Sequence, residues 1–219
     1  MTDDFWRWFD AEAAPKLALR EPSFRKVFQY LDTLKGPLVI VETGCARVRD
    51  NWAGDGQSTV LFDRYLANRE DGGTGVAIDL DPQATALCKE MVSSRIAVRT
   101  GDSVSVLVSV AAQLEGEQKT IDLLYLDSYD VDWANPVPSA VHHLKELVSI
   151  ARLLRHDSLV VVDDAPATSR LTANTAGQYQ LISVPQIGGK GTYVAEYASQ
   201  VGAQLIFSHY QAAWTGLVR

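Results

Sequence analysis

Short runs of apolar, β-branched residues recur along the chain, and segments with helical spacing of apolar residues separate them. The runs lie at residues 38–42, 75–79, 95–100, 121–127, 158–163 and 203–209. Strands that alternate with helices form βαβ units, in which the strands are parallel and covered on both faces. The sequence therefore predicts an α/β fold: a Rossmann-like, doubly wound, mostly parallel seven-stranded sheet with helices on both faces.

The segments between these runs have the apolar spacing of amphipathic helices. Residues 58–68, 82–92 and 136–154 fit this pattern, and Pro82 lies in the first turn of the second segment. Residues 4–14 and 21–34 precede the first strand and carry Phe, Trp and Leu at the same spacing. We expect one domain over residues 1–219, with N-terminal helices in 1–35 that cover the sheet or the mouth of a site, and the Rossmann-like core in 36–219.

Charge and composition exclude several classes of partner. The chain carries 27 Asp and Glu against 20 Lys and Arg, a net charge of −7. Proteins that grip nucleic acid or anionic membrane surfaces need a basic face, so we expect neither as a partner. The apolar runs are too short to span a bilayer, and acidic residues stand where a signal peptide needs basic ones. The two cysteines, Cys45 and Cys88, lack metal-ligand spacing and indicate reduced thiols in a cytoplasmic protein.

The loop after the first strand suits the close approach of a ligand. The strand ends in Glu42-Thr43-Gly44, and Gly56-Gln57-Ser58 precedes the next helix, with Asp55 or Ser58 as its expected cap. Glycines let the backbone approach a ligand, and a helix N-terminus adds a positive dipole. Tight turns without a ligand are the alternative, because glycines at these positions are common.

Acidic residues also follow the second and third strands. Asp79 could accept hydrogen bonds from both hydroxyls of a ribose, and Asp102, followed by Ser103, could accept one from an adenine amino group. Ligands of open α/β sheets bind outside the carboxyl ends of the strands, where these residues fall. Capping of the following helix is the alternative for each, and it is favoured for Asp81, which directly precedes Pro82.

The fourth and fifth strands end in three further acids, Asp127, Asp163 and Asp164. Adjacent parallel strands bring such side chains together, where they would repel one another unless a cation balanced them. Mg²⁺ prefers oxygen ligands, so a divalent metal site is one interpretation. The other is that these acids cap helices or pair with Arg47, Arg49 or Arg170.

Taken together, residues 36–210 resemble the class I S-adenosylmethionine (SAM)-dependent methyltransferases. The matching pieces are Glu42-Thr43-Gly44 with Gly56-Gln57-Ser58, Asp79, Gly101-Asp102-Ser103 and Asp127. The resemblance implies that the glycine loop cradles the methionine part of the cofactor, that Asp79 binds ribose, and that Asp102 with Ser103 faces adenine. Glu42, Gly44, Gly56, Ser58 and Asp127 are thereby implied as further cofactor-binding residues.

Asp163-Asp164 makes the chain similar to the metal-dependent O-methyltransferases, a group that includes the catechol, caffeoyl-coenzyme A and macrocin enzymes. This resemblance implies that Asp127, Asp163 and Asp164 hold Mg²⁺ or another divalent cation. The metal would bind the substrate oxygen, lower its pKa and orient it toward the sulfonium methyl group that the cofactor supplies. The expected function is metal-assisted O-methylation of a small-molecule hydroxyl.

Two departures from that group concern the first loop and the general base. Arg47-Val48-Arg49-Asp50-Asn51-Trp52 lengthens the glycine loop, which could therefore contact substrate or the cofactor carboxylate. The catechol branch has a catalytic Lys where this chain has Asp130, and the macrocin branch has an acid where this chain has Tyr129. We expect Asp127 and Asp130 to be the catalytic residues, with Asp130 as the first candidate for the base and His142 or His143 as the alternative.

Other features carry weaker predictions. Gly188-Gly189-Lys190-Gly191 is either a flexible lid that places Lys190 near an anionic group or a tight turn before a terminal hairpin. The aromatic N-terminus is expected to be core or a homodimer contact rather than an acceptor pocket. A nicotinamide-dependent oxidoreductase is disfavoured by the absence of a compact Gly-x-Gly-x-x-Gly turn. A cofactor-binding protein without catalysis and a metal-independent methyltransferase stay alternatives.

Overall fold

The computed structural model describes residues 3–173 and 175–218, and for residues 168–173 and 179–185 only the backbone is described. Seven strands form one sheet in the order β3-β2-β1-β4-β5-β9-β8. Their bounds are β1 Leu38–Thr43, β2 Gly73–Asp79, β3 Ile96–Thr100, β4 Ile121–Leu126, β5 Leu154–Val162, β8 Gln204–Ser208 and β9 Ala212–Thr215. Strands β1 to β5 pair in parallel, and the hairpin β8–β9 joins antiparallel to β5. The predicted fold class is confirmed.

Helices cover both faces of this sheet. Their bounds are α1 Asp3–Trp8, α2 Glu21–Leu31, α3 Trp52–Asp55, α4 Ser58–Ala67, α5 Pro82–Met91, α6 Ser103–Gly116, α7 Val137–Ile150 and α8 Thr192–Val201. The apolar residues form two core clusters, one with side chains from α1, α2, α4 and α5 and the other with side chains from α6, α7 and α8. Every residue of β1 and β4 is buried, as expected for strands covered on both faces.

The N-terminal helices are part of the core. A π-helical turn, Phe9–Ala13, and two 3₁₀ turns, Ala14–Lys16 and Ala18–Arg20, link α1 to α2. The Phe5 ring lies 4.6 Å from the Phe28 ring, and Phe24 stacks on Tyr125 of β4 at 5.8 Å between ring centroids. Because these aromatic rings pack inside the chain itself, they lend no support to the homodimer, which stays a prediction.

The structure differs from the sequence prediction around residues 151–187. The expected helix over 136–154 ends earlier, at Ile150, and after a 3₁₀ turn β5 begins at Leu154, which pairs with Ile121 across a register shift. A separate two-stranded hairpin, β6 Ala167–Ala173 with β7 Tyr179–Ile187, was not predicted. Within the described ranges, no helix is both long enough and apolar enough to cross a membrane.

Candidate functional site

The predicted acidic residues line the carboxyl edge of the sheet. Backbone hydrogen bonds continue past the strand ends and hold this edge together: Asp127 N donates to Thr43 O at 2.9 Å and Asp163 N to Leu126 O at 3.1 Å. The residues that follow β1, β2, β3, β4 and β5 therefore meet in one region. This is where ligands of open α/β sheets bind.

One part of this edge is a cavity of about 260 Å³. Its lining includes three residues predicted to bind cofactor, and the full set is Asp79, Leu80, Asp102, Ser103, Ser128, Tyr129 and His142. Leu80 and Tyr129 are 72% and 48% exposed, so an apolar and an aromatic side chain stand at the rim. The cavity thus combines carboxylates and hydroxyls with apolar walls, which suits a nucleoside.

Asp79 and Asp102 have backbone partners as well as a place in the cavity wall. The Asp79 carboxylate accepts hydrogen bonds from Cys45 N at 3.3 Å and Asp81 N at 2.9 Å. Asp102 caps α6 by accepting from Ser105 N at 2.9 Å, which lowers the pKa of the Asp102 carboxyl. Asp81 caps α5, as expected. Asp102 therefore caps α6 and lines the cavity at the same time.

Glu42 and Ser58 are buried beneath the first loop. The Ser58 hydroxyl donates to Glu42 Oε1, while Glu42 Oε2 is buried and has no hydrogen-bond partner among the described residues. Burial raises the pKa of the Glu42 carboxyl well above its usual range, because a lone charge is costly there. The expected cap is wrong for Ser58, since its hydroxyl bonds to Glu42, and Gln57 precedes α4 without a side-chain cap.

The two predicted glycines allow close approach between parts of the chain itself. Gly44 has a φ of +80°, and a Cβ there would lie 2.6 Å from the Asp127 carbonyl oxygen. Gly56 has a φ of +69°, and a Cβ there would lie 3.0 Å from Cδ of Arg20. Gly44 thus lets β1 and β4 converge at the site, and Gly56 makes room for Arg20.

The lengthened loop is held by ion pairs at the surface. Arg47 N donates to Asp55 at 2.8 Å, and the Arg47 guanidinium binds both oxygens of Asp130 at 3.2 Å. Arg49 pairs with Glu90. The side chain of Asp130, our first candidate for the base, is 71% exposed. The catalytic role of Asp130 stays a prediction, but the structure engages its carboxylate with Arg47.

Asp127, Asp163 and Asp164 come together as predicted. One carboxylate oxygen from each lies within 4.8 Å of the others, and we call this group the carboxylate cluster. Among the side chains that the structure describes, two cations bind it. Lys190 Nζ lies 2.5 Å from Asp127 Oδ1 and 3.0 Å from Asp164 Oδ2, and Arg20 Nε donates to Asp163 Oδ2 at 2.8 Å.

Arg20 makes further contacts in the cluster. Its guanidinium lies 3.3 Å from Asp164 Oδ1, donates to the Ala53 carbonyl at 3.1 Å, and stacks 4.8 Å from the Tyr210 ring centroid. The Tyr210 hydroxyl donates to Asp164 Oδ1. Of the cations expected to pair with these acids, Arg47 and Arg49 lie in surface pairs, and the Arg170 side chain is outside the described residues.

The electrostatics of the cluster follow from burial and proximity. Burial, together with Asp163 and Asp164, raises the pKa of Asp127 well above its ordinary value, although Lys190 opposes the shift. Burial alone would lower the pKa of Lys190, but Asp127 and Asp164 raise it, so the amine stays an ammonium. Lys190 therefore cannot accept a proton at neutral pH.

The two histidine candidates differ in environment. His142 lines the cavity, with Nε2 at 2.9 Å from Ser103 Oγ, and its hydrogen bond to Glu146 raises its pKa. His143 is fully buried, its Nδ1 donates to the Ser139 carbonyl at 2.6 Å, and burial lowers its pKa to about 4. His143 is therefore neutral at pH 7 and a weak base.

Sequence reasoning missed several residues of the site. Arg20 and Tyr210 join the carboxylate cluster from the two ends of the chain, and no local pattern marks either. Buried Glu146 accepts hydrogen bonds from Ser128 at 2.5 Å and Thr43 at 3.1 Å, and thus ties α7 to the ends of β1 and β4. The sequence marks Glu146 only by its position three residues after His143.

Comparisons with known proteins agree on the fold. No protein-family model matches the sequence, and no curated protein matches it either. Among solved structures, a SAM-dependent methyltransferase from Anabaena variabilis aligns with a TM-score of 0.51 at 12% identity, over 99% of this chain and 95% of that one. DhpI in complex with SAH gives 0.49 at 9% identity, over 100% and 96% of the two chains. The N-methyltransferase NodS from Bradyrhizobium japonicum gives 0.41 at 10%, over 90% and 95%.

The Anabaena structure, a SAM-dependent methyltransferase, thus shows that this chain has the Rossmann-like methyltransferase fold. At 12% identity the Anabaena likeness concerns the fold alone. The chemistry must be argued from the residues at the carboxyl edge of the sheet.

Proposed function

We propose that this chain is a SAM-dependent methyltransferase that transfers a methyl group to a hydroxyl of a small-molecule acceptor. The observation that carries the proposal is the cavity at the carboxyl edge, where Asp79, Asp102 and Ser103 share one wall on a methyltransferase fold. The carboxylate cluster lies at the ends of β4 and β5 of the same sheet, and Ser128, which follows Asp127, lines the cavity. A cofactor in the cavity would therefore have the cluster beside it.

The cavity residues fit the nucleoside end of the cofactor. Asp79 would accept from the ribose hydroxyls, Asp102 and Ser103 would face adenine, and Tyr129 would pack against the base. SAM supplies the electrophilic methyl group when bound. Glu42 fits the same cofactor, because its buried and unpartnered Oε2 can accept a hydrogen bond.

Asp127 is the residue best placed to take the acceptor proton. It follows β4 at the site, and its pKa is raised by burial and by the neighbouring carboxylates. Asp130, by contrast, is exposed and bound to Arg47, so a role for it would require that ion pair to open.

The metal assistance predicted from the sequence does not fit the cluster as it stands. A divalent ion needs free carboxylate oxygens at about 2.0–2.6 Å. Four of the six cluster oxygens already bind protein cations: Asp127 Oδ1 and Asp164 Oδ2 hold the Lys190 ammonium, while Asp163 Oδ2 and Asp164 Oδ1 hold Arg20. Asp163 Oδ1 is buried without a partner among the described residues, but one such oxygen does not make a site for a divalent ion. The proposed reaction therefore includes no step through Mg²⁺.

Calorimetry with S-adenosylhomocysteine tests the cofactor part of the proposal. Asp79→Ala should weaken binding at least about 10-fold, because a lost charge-assisted hydrogen bond costs about 1.5–3 kcal/mol. Asp81→Ala is the matched control: Asp81 caps α5, does not line the cavity, and its loss should leave the affinity unchanged. If the unmodified chain shows no heat of binding at high micromolar ligand, the proposal is wrong.

Transfer from methyl-labelled SAM to a panel of small hydroxyl, carboxyl and amine compounds tests the acceptor part. Label on a hydroxyl supports the proposal. Label on amines alone would refute O-methylation but would still support methyltransferase activity. Binding of the cofactor without any transfer would favour the alternative, a cofactor-binding protein without catalysis. The cytoplasmic location stays a prediction.

A further inference from the structure

The Lys190 ammonium lies between two carboxylates of the cluster, in a position that a bound metal ion would otherwise take. Its Nζ is 2.5 Å from Asp127 Oδ1 and 3.0 Å from Asp164 Oδ2, so it bridges the ends of β4 and β5. The Lys190 side chain is 1% exposed. A buried ammonium is retained only when acidic partners compensate its lost hydration, and here two of them do so.

The backbone around Lys190 is built for this placement. Lys190 N donates to the Asp164 carbonyl at 3.1 Å, and Gly188 N donates to the Pro166 carbonyl at 2.9 Å. A Cβ on Gly189, which has a φ of +53°, would lie 2.0 Å from the Asp164 carbonyl oxygen. A Cβ on Gly191 would lie 2.7 Å from Cβ of Ala165.

These glycines are therefore what lets the turn press against residues 164–166. The sequence Gly188-Gly189-Lys190-Gly191 forms a packed, buried turn rather than a free lid. Swinging the ammonium out of the cluster would require the turn itself to move. The lysine is thus fixed by its backbone as well as by its ion pairs.

Arg20 is a second cation at the carboxylate cluster. It binds Asp163 and Asp164 from the opposite end of the chain, so among the described residues two protein cations face three carboxylates. A divalent ion at the same oxygens would lie within a few ångströms of the ammonium, and the two cations would repel one another in a low-dielectric setting. The donor set of a metal site is present, but Lys190 and Arg20 bind oxygens from all three of its carboxylates.

We propose that the ammonium of Lys190 takes the place of a divalent cation in the carboxylate cluster and keeps such ions out. The carboxylate cluster then holds a lysine side chain in place of a metal ion. If the proposed methyl transfer holds, it needs no added divalent ion. The exclusion of the ion does not itself depend on that function, because it rests on Lys190, Arg20 and the three aspartates alone.

The test measures the binding of Mn²⁺ to the whole chain. The electron paramagnetic resonance signal of free Mn²⁺ reports how much of the ion stays unbound. The unmodified protein should show weak surface binding only. Lys190→Met, which removes the charge and keeps the length, should bind one additional Mn²⁺ per chain. Adding Asp127→Asn to Lys190→Met should abolish that gain, and Lys89→Met, at an exposed lysine, should not produce it.

Two results would overturn the proposal. One is a Mn²⁺ site in the unmodified protein that Asp164→Asn removes, since the ion would then bind with Lys190 in place. The other is a folded Lys190→Met protein that gains no Mn²⁺, since the lysine would then not be what fills the position. Circular dichroism reports whether this variant folds, and Lys190→Gln, which can still donate to Asp127, replaces it if it does not. Neither result depends on SAM binding or on methyl transfer, so failure here is distinguishable from failure of the proposed function.

Discussion

Replacing Arg20 by methionine should destabilise the protein far more than the same replacement at Arg47. Arg20 Nε donates to Asp163 at 2.8 Å, and the two side chains are 9% and 0% exposed. Arg47 binds Asp130 through two nitrogens at 3.2 Å, but these side chains are 45% and 71% exposed. The two pairs thus offer the same chemistry in a buried and in an exposed setting.

The expected difference follows from the charge that each variant leaves behind. Asp163 Oδ1 is already buried without a hydrogen-bond partner among the described residues, so Arg20→Met would leave the whole carboxylate unpaired. Removing one partner of a buried ion pair costs about 3–5 kcal/mol. Asp130 would be hydrated, and exposed pairs contribute about 0–1 kcal/mol. Asp55, which Arg47 Nε also binds at 3.3 Å, would keep its hydrogen bonds from Arg47 N and Gln57 Nε2. The gap between the variants should therefore be about 3 kcal/mol.

Urea unfolding of both variants and the unmodified protein at pH 7 gives these free energies. Asp163→Asn added to Arg20→Met should recover part of the loss, because a neutral amide costs less to bury than a lone charge. If Arg20→Met costs no more than Arg47→Met, the reasoning from burial is wrong.

Three further predictions concern buried positions. Burial lowers the pKa of His143 from 6.5 to about 4 in the folded protein, so this histidine binds a proton more readily in the unfolded chain. The free energy of unfolding should therefore fall by up to about 3 kcal/mol as pH falls from 6.5 to 4, and urea unfolding of His143→Asn should lack this share of the loss. Gly44→Ala should cost about 2–4 kcal/mol in thermal unfolding, because a Cβ at φ +80° would meet the Asp127 carbonyl at 2.6 Å. Gly36→Ala, at φ +84° with open space around it, should cost only about 1–2 kcal/mol, and equal losses would contradict the clash. Phe28→Ala should cost about 3–5 kcal/mol, since Phe28 is fully buried among aromatic rings, and a loss under 1 kcal/mol in urea would refute its place in the core.

The sheet and the acidic edge could be predicted because both depend on local patterns. Short apolar runs rich in β-branched residues, such as residues 38–42, favour strands covered on both faces, and helical spacing places the helices between them. Parallel strands end at one edge, so acids that follow β4 and β5 meet there when the two strands are neighbours, as they are in this sheet. The convergence of Asp127, Asp163 and Asp164 was therefore readable without the structure.

Only the tertiary structure determined which cations pair with these acids. Arg20 and Lys190 are far apart in sequence, and both reach the cluster because the aromatic N-terminus packs on one face of the sheet while a glycine turn presses against residues 164–166. The contacts of a charged side chain depend on how distant elements pack, and no local period records that. The sequence alone thus predicted three carboxylates in need of a cation, and the packing brought the side chains of Arg20 and Lys190 to them.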